Sequence, residues 1–109
     1  MAFPTNGRWD VGLVLKDAAG TPLNITGKNF AMGIMSDLRN TSPELILSTT
    51  AGTLLAEANG VLRMSVPYSI VRTLTQGEYY FDIVELLDDD DQAFVAEGKI
   101  FLRRGITRL

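Results

Sequence analysis

Apolar residues recur at every second position in short runs separated by turn formers, the periodicity of strands with one buried and one wet face. Trp9, Val11, Leu13 and Leu15 share one face, with Asp10, Gly12, Val14 and Lys16 on the other, and D-A-A-G at 17–20 then turns the chain. Residues 21–26 carry Leu23 and Ile25 in phase; Gly27 interrupts, and Phe30, Met32 and Ile34 line a further strand that ends near Asp37. R-N-T-S-P at 39–43 reads as a loop, because Pro43 disfavours helical geometry at Ser42. Short strands are expected at 44–49 and 53–57, and Asn59-Gly60, ready to adopt positive φ, predicts a hairpin into a strand over 61–66. After Pro67, the helical spacing of Ile70, Val71 and Leu74 predicts one or two turns of helix capping one end. Residues 1–7 contain Pro4, Asn6 and Gly7 without periodicity and read as an irregular lead-in to a single domain over 8–109.

The strongest pattern lies in residues 77–104, where two runs rich in aromatic and branched residues flank D-D-D-D-Q. It predicts a long hairpin. With Asp90 and Asp91 at the tip, Tyr79 faces Leu102, Phe81 faces Ile100, Ile83 faces Gly98 and Leu87 faces Phe94. The same register places Glu78 opposite Arg103 and Asp82 opposite Lys99, and opposite-charge pairs stabilise sheets. It also directs Glu85 inward opposite Ala96. An unpaired carboxylate cannot be buried cheaply, so either a β-bulge near Val84 or a place at the rim is expected.

Frequent turns and little helix indicate an all-β fold, an antiparallel β-sandwich of about seven strands with one short helix. The chain has 109 residues, room for one core. Its 13 acidic and 10 basic residues leave a net charge of −3, which disfavours nucleic acid as a partner. No apolar run reaches the roughly 20 residues of a spanning helix, and no export signal is read at the start, so a soluble protein away from the membrane is expected. Cysteine is absent, which excludes disulfides and thiolate metal sites.

Histidine is absent too, and with it the usual general base, triad partner and metal ligand. The serines lack a G-x-S-x-G setting, and the glycines form neither G-x-G-x-x-G nor a phosphate loop. Residues 88–91 offer hard oxygen ligands without the spaced D-x-D-x-D-G of a calcium loop; a solvated acidic tip is the expectation. Arg103, Arg104 and Arg108 read as strand-edge charges. No catalytic residue, cofactor or metal site is expected. The register leaves Tyr80 and Phe101 opposite each other on the wet face, with Leu86 and Val95 further along. Tyr80, Leu86, Val95 and Phe101 are therefore the candidate interface. Its cover could come from a partner, from residues 1–7 through Phe3 and Pro4, or from the loop at 38–43.

G-E-Y-Y-F-D-I-V-E-L-L at 77–87, the acidic turn and E-G-K-I-F-L-R-R-G-I-T-R at 97–108 resemble a bacteriophage family of small tail-associated proteins similar to the amino-terminal domain of the lactococcal phage upper baseplate protein. V-G-L-V-L-K-D-A-A-G-T-P-L-N-I-T-G looks like the family's opening strand, turn and "L-T-G" step, and N-G-V-L-R-M-S-V like the segment before its short helix. The resemblance implies an immunoglobulin-like sandwich. It further implies a virion structural protein of a phage or prophage tail or baseplate, present in host cytoplasm during assembly. Such a protein is not an enzyme, and its partners are other virion proteins, itself, or both, as a homo-oligomer. The alternative is an immunoglobulin-like recognition module for a cell-surface carbohydrate or protein. A third possibility, a small carboxylate-dependent enzyme, needs paired acids in a pocket.

Overall fold

The period-two pattern resolves into two sheets around one core in the computed structural model, which describes residues 2–37, 39 and 42–105. Eight strands lie among the described residues: β1 (Ala2–Pro4), β2 (Trp9–Val14), β3 (Asn29–Met35), β4 (Leu45–Ser48), β5 (Leu54–Ala56), β6 (Val61–Val66), β7 (Gly77–Leu86) and β8 (Gln92–Arg103). A five-stranded sheet has the order β1-β8-β7-β3-β4 and a three-stranded sheet the order β2-β6-β5. All pairings are antiparallel except β1 with β8, which is parallel. The fold is all-β, as the alternation predicts.

The inner faces supply the core. Phe30, Met32, Ile34, Leu47, Tyr79, Ile83 and Ile100 from the larger sheet meet Trp9, Leu54, Leu62, Met64 and Val66 from the smaller, all buried. The one-turn α-helix α1 (Tyr68–Val71) starts after Pro67 and buries Val71, with Leu74 following it inward. Beside it, the Tyr79 hydroxyl donates to the Thr75 carbonyl at 2.9 Å, fixing the corner where the chain enters β7. Asn59 and Gly60 both have positive φ, as the hairpin signal requires. Gly60 is also sterically obligatory, because a Cβ there would lie 2.7 Å from the Leu15 carbonyl oxygen.

Three local expectations are corrected. Residues 2–4, read as lead-in, form β1, which inserts Phe3 into the core with its ring centroid 5.1 Å from that of Trp9. Residues 21–26 carry no strand, only an isolated bridge between Lys16 and Pro22. Side chains compete for that backbone: Asp17 Oδ1 accepts from the Ala19 and Thr21 amides, and Asn24 Oδ1 from the Thr26 amide. The long hairpin turns earlier than expected. Leu87 N–H donates to the Asp91 carbonyl, so the loop is Asp88, Asp89 and Asp90, with Asp89 and Asp90 in the left-handed region that aspartate tolerates.

Tyr79 therefore faces Ile100, Phe81 faces Gly98 and Ile83 faces Ala96, a shift of two residues that leaves most of the inward and outward sets intact. The expected pairs do not form as drawn: Glu78 lies opposite Phe101, and Asp82 opposite Glu97. The bulge is present. Ile83 pairs with Ala96 and Val84 with Phe94, so the extra residue is Val95 on β8. Glu85 lies opposite Phe30 and Ala93 near the sheet rim, its side chain 25% exposed and 4.0 Å from Lys28 Nζ.

Candidate functional site

Strand pairing orders the outer face of the five-stranded sheet into rows. Ser48, Ala31, Val84 and Phe94 form one; Ile46, Gly33, Asp82 and Glu97 form the next; Met35, Tyr80 and Lys99 follow; then Glu78, Phe101 and Ala2. Leu86 and Gln92 close the end nearest the aspartate loop. Large apolar side chains stand in solvent here: Phe94 is 64% exposed, Ile46 59%, Phe101 50% and Leu86 36%. Exposed apolar residues gathered on one face of a small domain mark a partner site.

A trough of about 470 Å³ crosses the middle rows, with Gly33, Met35 and Pro43 on one side and Tyr80, Asp82, Glu97 and Lys99 on the other. Pro43 leans over Gly33, where a Cβ would meet it at 3.6 Å. Beneath, Phe81 packs inward, and Gly98 leaves the room its ring takes, since a Cβ there would come within 2.8 Å of two ring carbons. Lys99 Nζ is 3.2 Å from Glu78 Oε1 and 5.4 Å from the centre of the Tyr80 ring. The hydrogen bond that the Lys99 ammonium donates to the Glu78 carboxylate chiefly, helped by the charges of Glu78 and Tyr80, holds its pKa above the usual lysine range. Asp82 and Glu97 are like charges directly opposed across two strands, an arrangement that weakens a sheet.

Of the four expected interface residues, Tyr80, Leu86 and Phe101 lie on this face. Tyr80 faces Lys99 instead of Phe101, which sits diagonally beyond it. Val95 does not belong: as the bulge residue it is half buried and packs against the core. Phe94, expected to point inward at Leu87, takes its place outside and is the most exposed large apolar residue among those described. The adjacent large apolar residues Phe94-Val95 mark the place of that exchange in the sequence. Ile46 was missed because L-I-L is too short to give its phase.

The lead-in residues do not supply the expected intramolecular cover. Phe3 turns into the core, while Pro4 pairs with Arg103 at the sheet edge. From the loop, Pro43 lies against Gly33 and lines the trough; residues 38, 40 and 41, like Arg108, lie outside the described residues. Residues 88–91 are exposed, and among the described residues no group of three or more acidic, histidine or cysteine side chains converges. No described helix is long and apolar enough to cross a membrane. Neither a protein-family model nor a curated protein matches the sequence.

Proposed function

We propose that this protein is a structural component of a bacteriophage or prophage tail or baseplate, in which the outer face of the five-stranded sheet docks on another virion protein without catalysis. The observation that carries the reading is that face: Phe94, Phe101, Ile46 and Leu86 are exposed together around the directly opposed carboxylates Asp82 and Glu97. A partner of apolar surface with a basic side chain set against Asp82 and Glu97 fits it. The fold we propose is immunoglobulin-like. In support, one sheet has the order β1-β8-β7-β3-β4 and the other β2-β6-β5, the division of a variable-type domain into A′GFCC′ and BED. The hydroxyl of Tyr79, at the start of β7, bonded to the backbone four residues upstream, resembles the tyrosine corner of such domains and supports the reading. The resemblance of 77–108 to tail-associated proteins supplies the virion context.

Co-expression with the proteins encoded beside it tests the reading. A tail component should copurify with the wild type and be lost with Phe94→Asp, while the variant stays folded. Copurification unaffected by Phe94→Asp and Phe101→Asp would remove this face from the assembly. The trough with Tyr80 and its two carboxylates favours the second reading, a recognition module for a cell-surface carbohydrate or protein. Binding of the purified protein to host-surface glycans, abolished by Tyr80→Ala, would move that reading ahead.

A further inference from the structure

The described strands leave four sheet edges open. Three are short: β1 has three residues and contains Pro4, β4 has four and β5 three. The fourth, β2, has six residues, W-D-V-G-L-V, with no proline, lysine or bulge to blunt it.

Its hydrogen-bonding groups divide cleanly. Leu15 N–H donates to the Gly60 carbonyl in the register that pairs Trp9 with Val66, so by alternation Trp9, Val11, Leu13 and Leu15 bond towards β6. Asp10, Gly12 and Val14 turn their amides and carbonyls the other way. Lys16 does the same, because its bridge to Pro22 is made through the flanking Asp17 N–H and Leu15 carbonyl. Four consecutive even-numbered residues thus present donors and acceptors along one open edge. The side chains beside it are unfinished: Val11 and Leu13 on the inner face are half buried, and Val14 is 51% exposed.

We propose that β2 is a self-pairing edge. Two copies of this chain join antiparallel through it, centred on Leu13, to give a continuous six-stranded sheet β5-β6-β2-β2-β6-β5. The occupant is identified by charge and shape. Centred on Leu13, Asp10 lies opposite Lys16 of the second copy, twice by symmetry, and the exposed Val14 lies opposite Gly12 of that copy. On the inner face Leu13 meets its own counterpart, and Val11 meets Leu15 of the second copy. Moving the centre one residue pair either way puts Arg8 opposite Lys16 or leaves Asp10 without a basic partner. The interface is isologous and closes at two copies. It uses the sheet opposite the docking face, so a dimer presents two such faces outward.

Sedimentation velocity of the full chain, from about 1 μM to about 1 mM, reads the association. A concentration-dependent dimer is expected, with the amides of Asp10, Gly12, Val14 and Lys16 protected from hydrogen exchange only where the dimer is populated. Val14→Pro removes one edge-facing donor without touching the β6 ladder and should leave a folded monomer, checked by the exchange of β6 amides. Lys16→Glu should weaken the dimer by about 10-fold or more, and Asp10→Lys with Lys16→Glu should restore it. A monomer throughout the range overturns the proposal. So does a dimer that survives Val14→Pro but is lost with Phe94→Asp, and so does a Lys16→Glu defect that the double variant fails to rescue.

Discussion

The outer faces of the two sheets have opposite chemistry. On the three-stranded sheet Arg63 bridges Glu57 at 2.9 Å and Asp10 at 3.2 Å, and the Arg8 guanidinium donates to Ser65 Oγ at 2.8 Å. Glu57 first, then Asp10, hold the Arg63 pKa above its ordinary value. Gly12 lies beneath this fork, where a Cβ would come 2.9 Å from Val61 Cγ1. The charges of that face are paired by its own side chains, although Val14 and Leu55 remain exposed on it. On the five-stranded sheet the corresponding middle row sets Asp82 against Glu97, and phenylalanines stand in water on either side. A fold that can satisfy one outer face with a single arginine gains nothing from leaving the other unsatisfied, unless something else completes it.

The largest expected effect removes one side of the comparison. Gly60→Ala forces a Cβ against the Leu15 carbonyl at φ +74°, and a loss of about 2–3 kcal/mol in denaturant unfolding is expected. The hairpin of β5 and β6, and the Arg63 fork with it, should loosen first in hydrogen exchange. Tyr79→Phe comes next. It leaves the Thr75 carbonyl without its donor and should cost about 1 kcal/mol, with the outer faces unchanged.

The sharpest test makes the same chemical change on both faces. Asp82→Asn relieves like-charge repulsion and should raise stability by roughly 0.2–1 kcal/mol, whereas Asp10→Asn loses an ion pair and should lower it by up to about 1 kcal/mol. Equal signs in chemical denaturation would break the contrast. The smallest effect is alkaline. The folded Lys99 pKa lies above the ordinary lysine value of 10.5, so its contribution is present below that pH and is lost as pH rises through the folded value. In Lys99→Gln the fall in Tm above pH 10.5 should be shallower than in the wild type.

Side-chain alternation was legible wherever a strand is longer than five residues and regular. Trp9, Phe30, Met32, Ile34, Leu62, Met64 and Val66 all point where their phase places them. Pairing was less legible. A tip placed between Asp90 and Asp91 instead of at Asp89 shifts the partners by three next to the loop, and the bulge takes one back, so that from Ile83 to Tyr79 they differ by two and the face is preserved. Hence Tyr80, Leu86 and Phe101 were identified while their neighbours were not. Val95 and Phe94 exchanged roles because the bulge changes phase within β8, and the expected carboxylate conflict at Glu85 marked its place without naming the strand that carries it. β1 was missed for another reason: three residues have no period, and Phe3 is fixed by Trp9 and β8, contacts no local pattern contains.

That parallel pairing of β1 with β8 has a mechanical meaning. Ala2 lies beside Phe101 and Pro4 beside Arg103, so tension applied at the beginning of β1 and the end of β8 pulls two adjacent strands in opposite directions along their length. Their hydrogen bonds, with the link from the Thr5 amide to the Arg103 carbonyl, are loaded together in shear and cannot be unzipped one at a time. Phe3 must also be drawn out of the core before the strands can slide. The shortest strand of the five-stranded sheet therefore acts as a latch, and resistance to stretching is concentrated in a few residues at its edge.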